Sequence, residues 1–150
     1  MNVATTSVRN RLGLPWWAIG LLAALAVPRV VTHDLGLVGP VVNALLVFGP
    51  LVCWVVVAVA AKVPRPVLTL VVVGAVHGVL LAIGHQVLWG HAYGGDVPQL
   101  GGNLEDLPWM AHSAITRATA FLSSVIVGTV VGVITGVVAW GAGRFRRGGT

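Results

Sequence analysis

Four apolar runs, each about as long as a bilayer is thick, constrain this 150-residue chain more than any other feature. A hydrocarbon core of roughly 30 Å takes about 20 helical residues to cross. The runs cover residues 14–31, 38–61, 66–88 and 118–140. Lipid offers no partner to a backbone N–H or C=O, so runs of this kind fold as helices, which satisfy those groups internally. The predicted fold class is all-α, an integral membrane bundle of four transmembrane helices forming one domain over residues 1–150. A soluble fold conflicts with the composition. Hydrophobic residues make up 57 % of the chain and charged residues 9 %, whereas soluble domains carry about a quarter charged residues.

The connections between the runs sort by charge. Arg9 and Arg11 precede the first run, Lys62 and Arg65 occupy "KVPRP" between the second and third, and Arg144, Arg146 and Arg147 follow the fourth. Asp34, Asp96, Glu105 and Asp106 all fall on the other side, with Arg29 and Arg117. The positive-inside rule then predicts both termini in the cytoplasm and the long 89–117 loop outside a bacterial cytoplasmic membrane. Trp16, Trp17 and Trp140 fit an inner aromatic belt, and Trp89 an outer one. A competing reading takes the basic start, the apolar stretch from Leu14 and the "ALA" at 24–26 as a cleavable signal peptide, which would leave three spans. The net charge of +5 does not point to nucleic acid, because the basic residues sit at span ends. The expected partners are the lipid bilayer, further copies of the chain and other membrane subunits.

Within the fourth run, "SVIVGTVVGVITGVVAW" repeats a small residue every four positions at Ser124, Gly128, Gly132 and Gly136. On a helix these make one smooth stripe that lets another backbone approach closely, inside the bundle or between copies. Gly74 and Gly78 make a shorter stripe in the third run. Pro50, after Gly49 in the second run, predicts a kink, because proline removes one helical hydrogen bond.

Polar side chains gather in the outer half of the spans. His77 lies near the expected midplane, with His85 about 12 Å further out. Arg29, Asn43, Gln86 and Arg117 reach similar heights. Intramembrane ionisable groups are functional candidates by default, so His77, His85, Asn43, Arg29, Gln86 and Arg117 form a predicted ligand-binding set around an outward-facing polar cavity. The plainer reading is that the histidines hydrogen-bond neighbouring helices and the arginines snorkel to headgroups. His33, Asp34, His85, His91 and His112 are suitable Zn²⁺ ligands without diagnostic spacing. A haem b would need His85 paired with His33 or His112, since no second span supplies a midplane histidine to match His77.

The 89–117 loop is long enough to act as a lid. From Asp106, "DLPWMAHSAITRATAF" reads as a helix start. Continued to Trp140, that helix would reach about 50 Å.

Several chemistries are weakened. Cys53 is the only cysteine, so there is no internal disulfide and no CxxC pair. Met110 is the only methionine beyond Met1, a poor set for Cu(I). No acid falls inside the four runs as bounded above, unlike the usual proton-coupled exporter. No GxSxG, HExxH or Walker A motif occurs. The sequence reads as a non-enzymatic protein that binds or passes a small solute or ion. An accessory or assembly subunit is the alternative, and a haem- or quinone-handling anchor the third.

Overall fold

The computed structural model describes residues 11–94 and 97–148, with side chains up to Arg146. Arg9 and Asp96 lie outside the described residues, and so does the side chain of Arg147. The described chain is all-helical: α1 (Trp16–Ala24), α2 (Val27–Asp34), α3 (Pro40–Ala60), α4 (Pro66–Val87), the short α5 (Trp89–Tyr93), a 3-10 turn (Gly102–Leu104) and α6 (Trp109–Gly148). Among the described residues, four stretches are long and apolar enough to cross a membrane: Trp16–Asp34, Pro40–Ala60, Pro66–Val87 and Trp109–Arg146. The chain is thus a helical protein of multi-pass membrane type.

Proline sets several boundaries. α2, α3 and α4 each carry a proline in their first two positions, Pro28, Pro40 and Pro66. There the missing N–H would have no helical partner anyway. Pro50 stands in the interior of a helix instead. It is buried inside α3, which continues across it from Pro40 to Ala60. The first span is interrupted at Leu25–Ala26. Pro28 has no N–H for the carbonyl four residues back, at Ala24, and its ring crowds that carbonyl, which favours a break here. The chain steps across with shorter bonds, Leu25 N to the Leu22 carbonyl and Arg29 N to the Ala26 carbonyl.

α3 ends in a Schellman turn. Lys62 N donates to the Val59 carbonyl and Val63 N to the Ala58 carbonyl, with Lys62 in the left-handed region at φ 50°. Glycine usually takes this position, because a Cβ is strained there. Buried Val63 and Ala58 supply the apolar contact that accompanies the turn.

The fourth span begins earlier than its apolar run. α6 starts at Trp109, just after Pro108, and includes residues 109–117 that the span boundaries left in the loop. The local pattern "DLPW" predominates over hydropathy there. Its 40 residues make a rod of about 60 Å.

α4 and α6 pack antiparallel along one continuous register. A Cβ on Gly136 would stand 2.6 Å from the Val67 Cα, one on Gly132 2.9 Å from the Val71 Cα, and one on Gly78 2.6 Å from the Ser124 carbonyl oxygen. Gly74 and Gly128 meet the facing backbone in the same way. Real Cβ atoms do not come so close, so the two main chains touch only because these positions are glycine. The stripe is filled by α4 of the same chain and is not free to face a second copy. The core beside the seam joins α1, α3 and α4 through Ile19, Ala23, Trp54, Leu70 and Val73.

Candidate functional site

Trp54 and His77 meet where the first span breaks. The last carbonyls of a helix lack intrahelical donors and need others. Trp54 Nε1 donates to the Leu22 carbonyl at 2.8 Å, and the His77 Nδ1 lies 3.3 Å from the Ala23 carbonyl. A carbonyl can only accept, so Nδ1 carries the ring proton. The indole and imidazole stand edge to face, 5.3 Å between centroids at 80°. Both residues are buried. Trp54 is absent from the sequence-derived set. Its signal is a tryptophan in mid-span, away from both aromatic belts, whose N–H must find an acceptor in an apolar medium.

The second polar centre lies at the end of the bundle that carries the long loop. The Asp34 carboxylate sits between two imidazoles. His85 Nδ1 is 2.7 Å from Oδ2, and His33 Nδ1 is 3.2 Å from Oδ1. The Asp34 side chain is only 3 % exposed, against 32 % for His85 and 54 % for His33. The expectation that no span holds an acid needs correction. α2 carries the first span on to Asp34, beyond the last residue of the apolar run, and buries its carboxylate.

On the other flank of α4, Gln86 joins α6. Its Nε2 donates to the Arg117 carbonyl at 3.1 Å, and Arg117 NH1 donates back to Gln86 Oε1 at 3.2 Å. The Arg117 guanidinium also lies 4.9 Å from the Trp89 ring centroid. Adjacent residues on a helix point about 100° apart, so His85 and Gln86 tie one end of α4 to two different spans.

Six predicted ligand-binding residues therefore divide. His77, His85, Gln86 and Arg117 are engaged with protein partners. Arg29 and Asn43 are not satisfied in the same way: the buried Arg29 Nε and Asn43 Oδ1 have no hydrogen-bond partner among the described residues. Arg29 belongs to α2, Asn43 to the first turn of α3. Arg29 is about 7 Å along the helix from Asp34.

The metal-ligand candidates do not converge. His33 and His85 aim at separate oxygens of Asp34 rather than at a common point. His112 accepts the Leu100 N–H at Nε2, 3.2 Å away, and so ties the loop to α6. His91 is exposed on α5. Among the described residues, no three His, Cys, Asp or Glu side chains are grouped to hold a metal ion. That grouping gives neither a Zn²⁺ site nor a haem b ligand pair any added support.

A cleft of about 750 Å³ opens at the opposite end of the bundle, far from the histidines. Its walls include Ala58 and Val59 of α3, Lys62 of the following turn, and Trp140, Arg144 and Arg146 of α6. Sequence reasoning used these basic residues only as topology markers. No protein-family model, curated protein or solved structure matches the chain.

Proposed function

We propose that this chain is a non-catalytic, multi-pass protein of the cytoplasmic membrane that binds a small polar solute or ion at the loop end of its bundle. One observation carries the reading. Arg29 Nε is a buried donor and Asn43 Oδ1 a buried acceptor, and neither has a partner within the described protein. Buried polar groups are nearly always hydrogen-bonded, and an orphan calls for an explanation. An unpaired arginine at membrane depth is a functional candidate in its own right. A solute bearing an anionic or carbonyl oxygen and an N–H or O–H group would satisfy both atoms at once. Asp34 and His85 lie on the same side and would set the polarity of the entrance.

The orientation follows from charge. The basic end faces the cytoplasm and the loop end faces outward. In a Cys53→Ser background, Gln99→Cys should react with an impermeant thiol reagent added to intact cells. Phe145→Cys, 85 % exposed at the basic end, should not. The reverse pattern overturns the orientation.

The binding reading is tested by screening the purified protein for thermal stabilisation against small carboxylates, amino acids and inorganic ions. At least one compound should raise the unfolding midpoint of the wild type, and Arg29→Gln and Asn43→Leu should each remove that shift. Failure of every compound, or equal shifts in both variants, counts against the reading.

A further inference from the structure

We propose that the cleft at the basic end binds the headgroup phosphate of an anionic phospholipid. The space is built by the sequence. α6 makes its last close approach to α4 at Gly136, against Val67, and then continues to Gly148, about 18 Å further. α3 ends at Ala60 and the chain turns back through the 61–65 loop. Between these two features the facing residues are small, with Ala58 on α3 and Ala139 and Gly143 on α6.

The charge of the cleft has no counterpart in the described protein. Lys62, Arg144 and Arg146 line it, and no carboxylate does. Asp34, Glu105 and Asp106 belong to the other end. Among the described residues the only ion pairs join histidines to Asp34, and none involves a lysine or arginine. Arg144 is also oriented for the task. Its guanidinium lies over the Trp140 ring, 4.0 Å from the centroid. Stacking occupies a face of the guanidinium and leaves the in-plane N–H groups for oxygen acceptors, a fork that matches phosphate. Lys62 occupies a left-handed turn position where glycine is the cheaper choice. A strained non-glycine residue at a site is a pointer to function.

The lipid source is favoured over a soluble phosphate by the surroundings. Tryptophan and arginine at a helix end mark headgroup depth, and basic pockets between transmembrane helices are a recurrent way to hold anionic headgroups. The same two helices expose Val52, Val56, Val133 and Val137 towards the bilayer, where acyl chains have an apolar surface to lie on.

The full chain is reconstituted in phosphatidylcholine nanodiscs with and without phosphatidylglycerol, and retained lipid is counted by native mass spectrometry. The wild type should retain phosphatidylglycerol selectively and unfold at higher temperature in its presence. The triple variant Lys62→Gln, Arg144→Gln, Arg146→Gln should bind it about tenfold more weakly or worse. Arg11→Gln with Arg65→Gln removes two exposed charges that do not line the cleft, and should retain the lipid as the wild type does. An equal loss in this second variant shows a diffuse surface effect and overturns the site. Inorganic phosphate matching the stabilisation in phosphatidylcholine discs makes the ligand a soluble anion and overturns the lipid assignment. Should the triple variant not fold, Arg144→Lys alone is read: loss of the stacked fork should weaken retention, and unchanged retention overturns the proposal.

Discussion

The α4–α6 pair and the first span are held by opposite means. α4 and α6 touch main chain to main chain from Val67 and Gly136 at one end to Gly78 and Ser124 beyond the middle. The first span is broken at Leu25–Ala26 and is held just before that break by side chains reaching its last carbonyls, Trp54 to Leu22 and His77 to Ala23. In lipid there is no hydrophobic drive between helices, so association rests on close packing and on hydrogen bonds. The seam uses the first and the broken span uses the second. Close packing is spread over many contacts and is lost when any one is pushed apart. A hydrogen-bond fastener is local, and its loss is bounded by one or two unsatisfied groups.

The seam should therefore give the largest effects. Gly132→Ile forces a branched side chain against the Leu70 and Val71 backbone and should cost more than about 3 kcal/mol, enough to prevent folding. Gly128→Ala adds only a methyl, 2.7 Å from the Gly78 Cα, and should cost about 1–3 kcal/mol. Gly141→Ala is the control on the same helix. Nothing lies within 4 Å of its Cβ, so it should be neutral or stabilising by up to about 1 kcal/mol through helix propensity. Unfolding in mixed detergent–dodecyl sulfate micelles measures all three. Equal costs for Gly128→Ala and Gly141→Ala would mean that the seam is looser than its geometry.

The fasteners come next. Trp54→Phe keeps an aromatic ring but leaves the Leu22 carbonyl only the long 3.4 Å bond from Leu25 N, at a cost of about 1–3 kcal/mol. His77→Leu should cost less, about 1 kcal/mol, because its bond is longer, 3.3 Å against 2.8 Å. The two rings touch, so the double variant should depart from additivity by about 0.5–1.5 kcal/mol. A purely additive result would mean that each residue serves its own carbonyl without support from the other.

This contrast also explains what the sequence makes legible. The four spans are visible because hydropathy integrates over 20 residues, and no single position decides it. The glycine seam is visible because its period of four is a property of one helix. The role of His77 is not visible in that way. It depends on where a different helix breaks, and that break lies just before Pro28. Burial of Asp34 is hidden for a related reason. It follows three residues after the apolar run ends, and only packing against His85 makes it part of the span. The start of α6 was half legible: "DLPW" marks it, while hydropathy places the span several residues later. The basic cleft needs two chain segments some 80 residues apart, Lys62 and the 140–146 stretch, and no one-dimensional pattern joins them.

The Asp34–His85 contact extends the comparison to the loop end, where the first span is held a second time. His85→Leu removes the 2.7 Å partner but leaves the carboxylate its contact with His33. His85 is a third exposed, so water competes for the bond. The expected cost is about 1 kcal/mol. Asp34→Asn with His85→Leu should cost less than the two single changes added together, because each single change removes the same interaction. Full additivity in the unfolding assay would show that the pair contributes nothing.

The smallest effect should come from His112, which fastens a loop rather than a span. Its Nε2 accepts the Leu100 N–H at 3.2 Å, so the lone pair on that nitrogen is what the loop depends on. His112→Phe keeps an aromatic ring in place and removes the acceptor. Leu100 is half-buried in an otherwise exposed stretch, and its amide then turns to water. Global stability should fall by no more than about 0.5 kcal/mol, since no helix–helix contact changes. The local effect should be larger. A backbone amide tied to a side chain exchanges slowly only while the tie is closed, so hydrogen exchange at Leu100 should accelerate several-fold in His112→Phe, while amides along α4 and α6 keep wild-type protection. His112→Asn, whose side-chain oxygen can accept but reaches less far, should fall between the two. Unchanged exchange at Leu100 in His112→Phe would mean that the loop is held by its own backbone, and that histidines act as fasteners in this protein only where they join transmembrane helices.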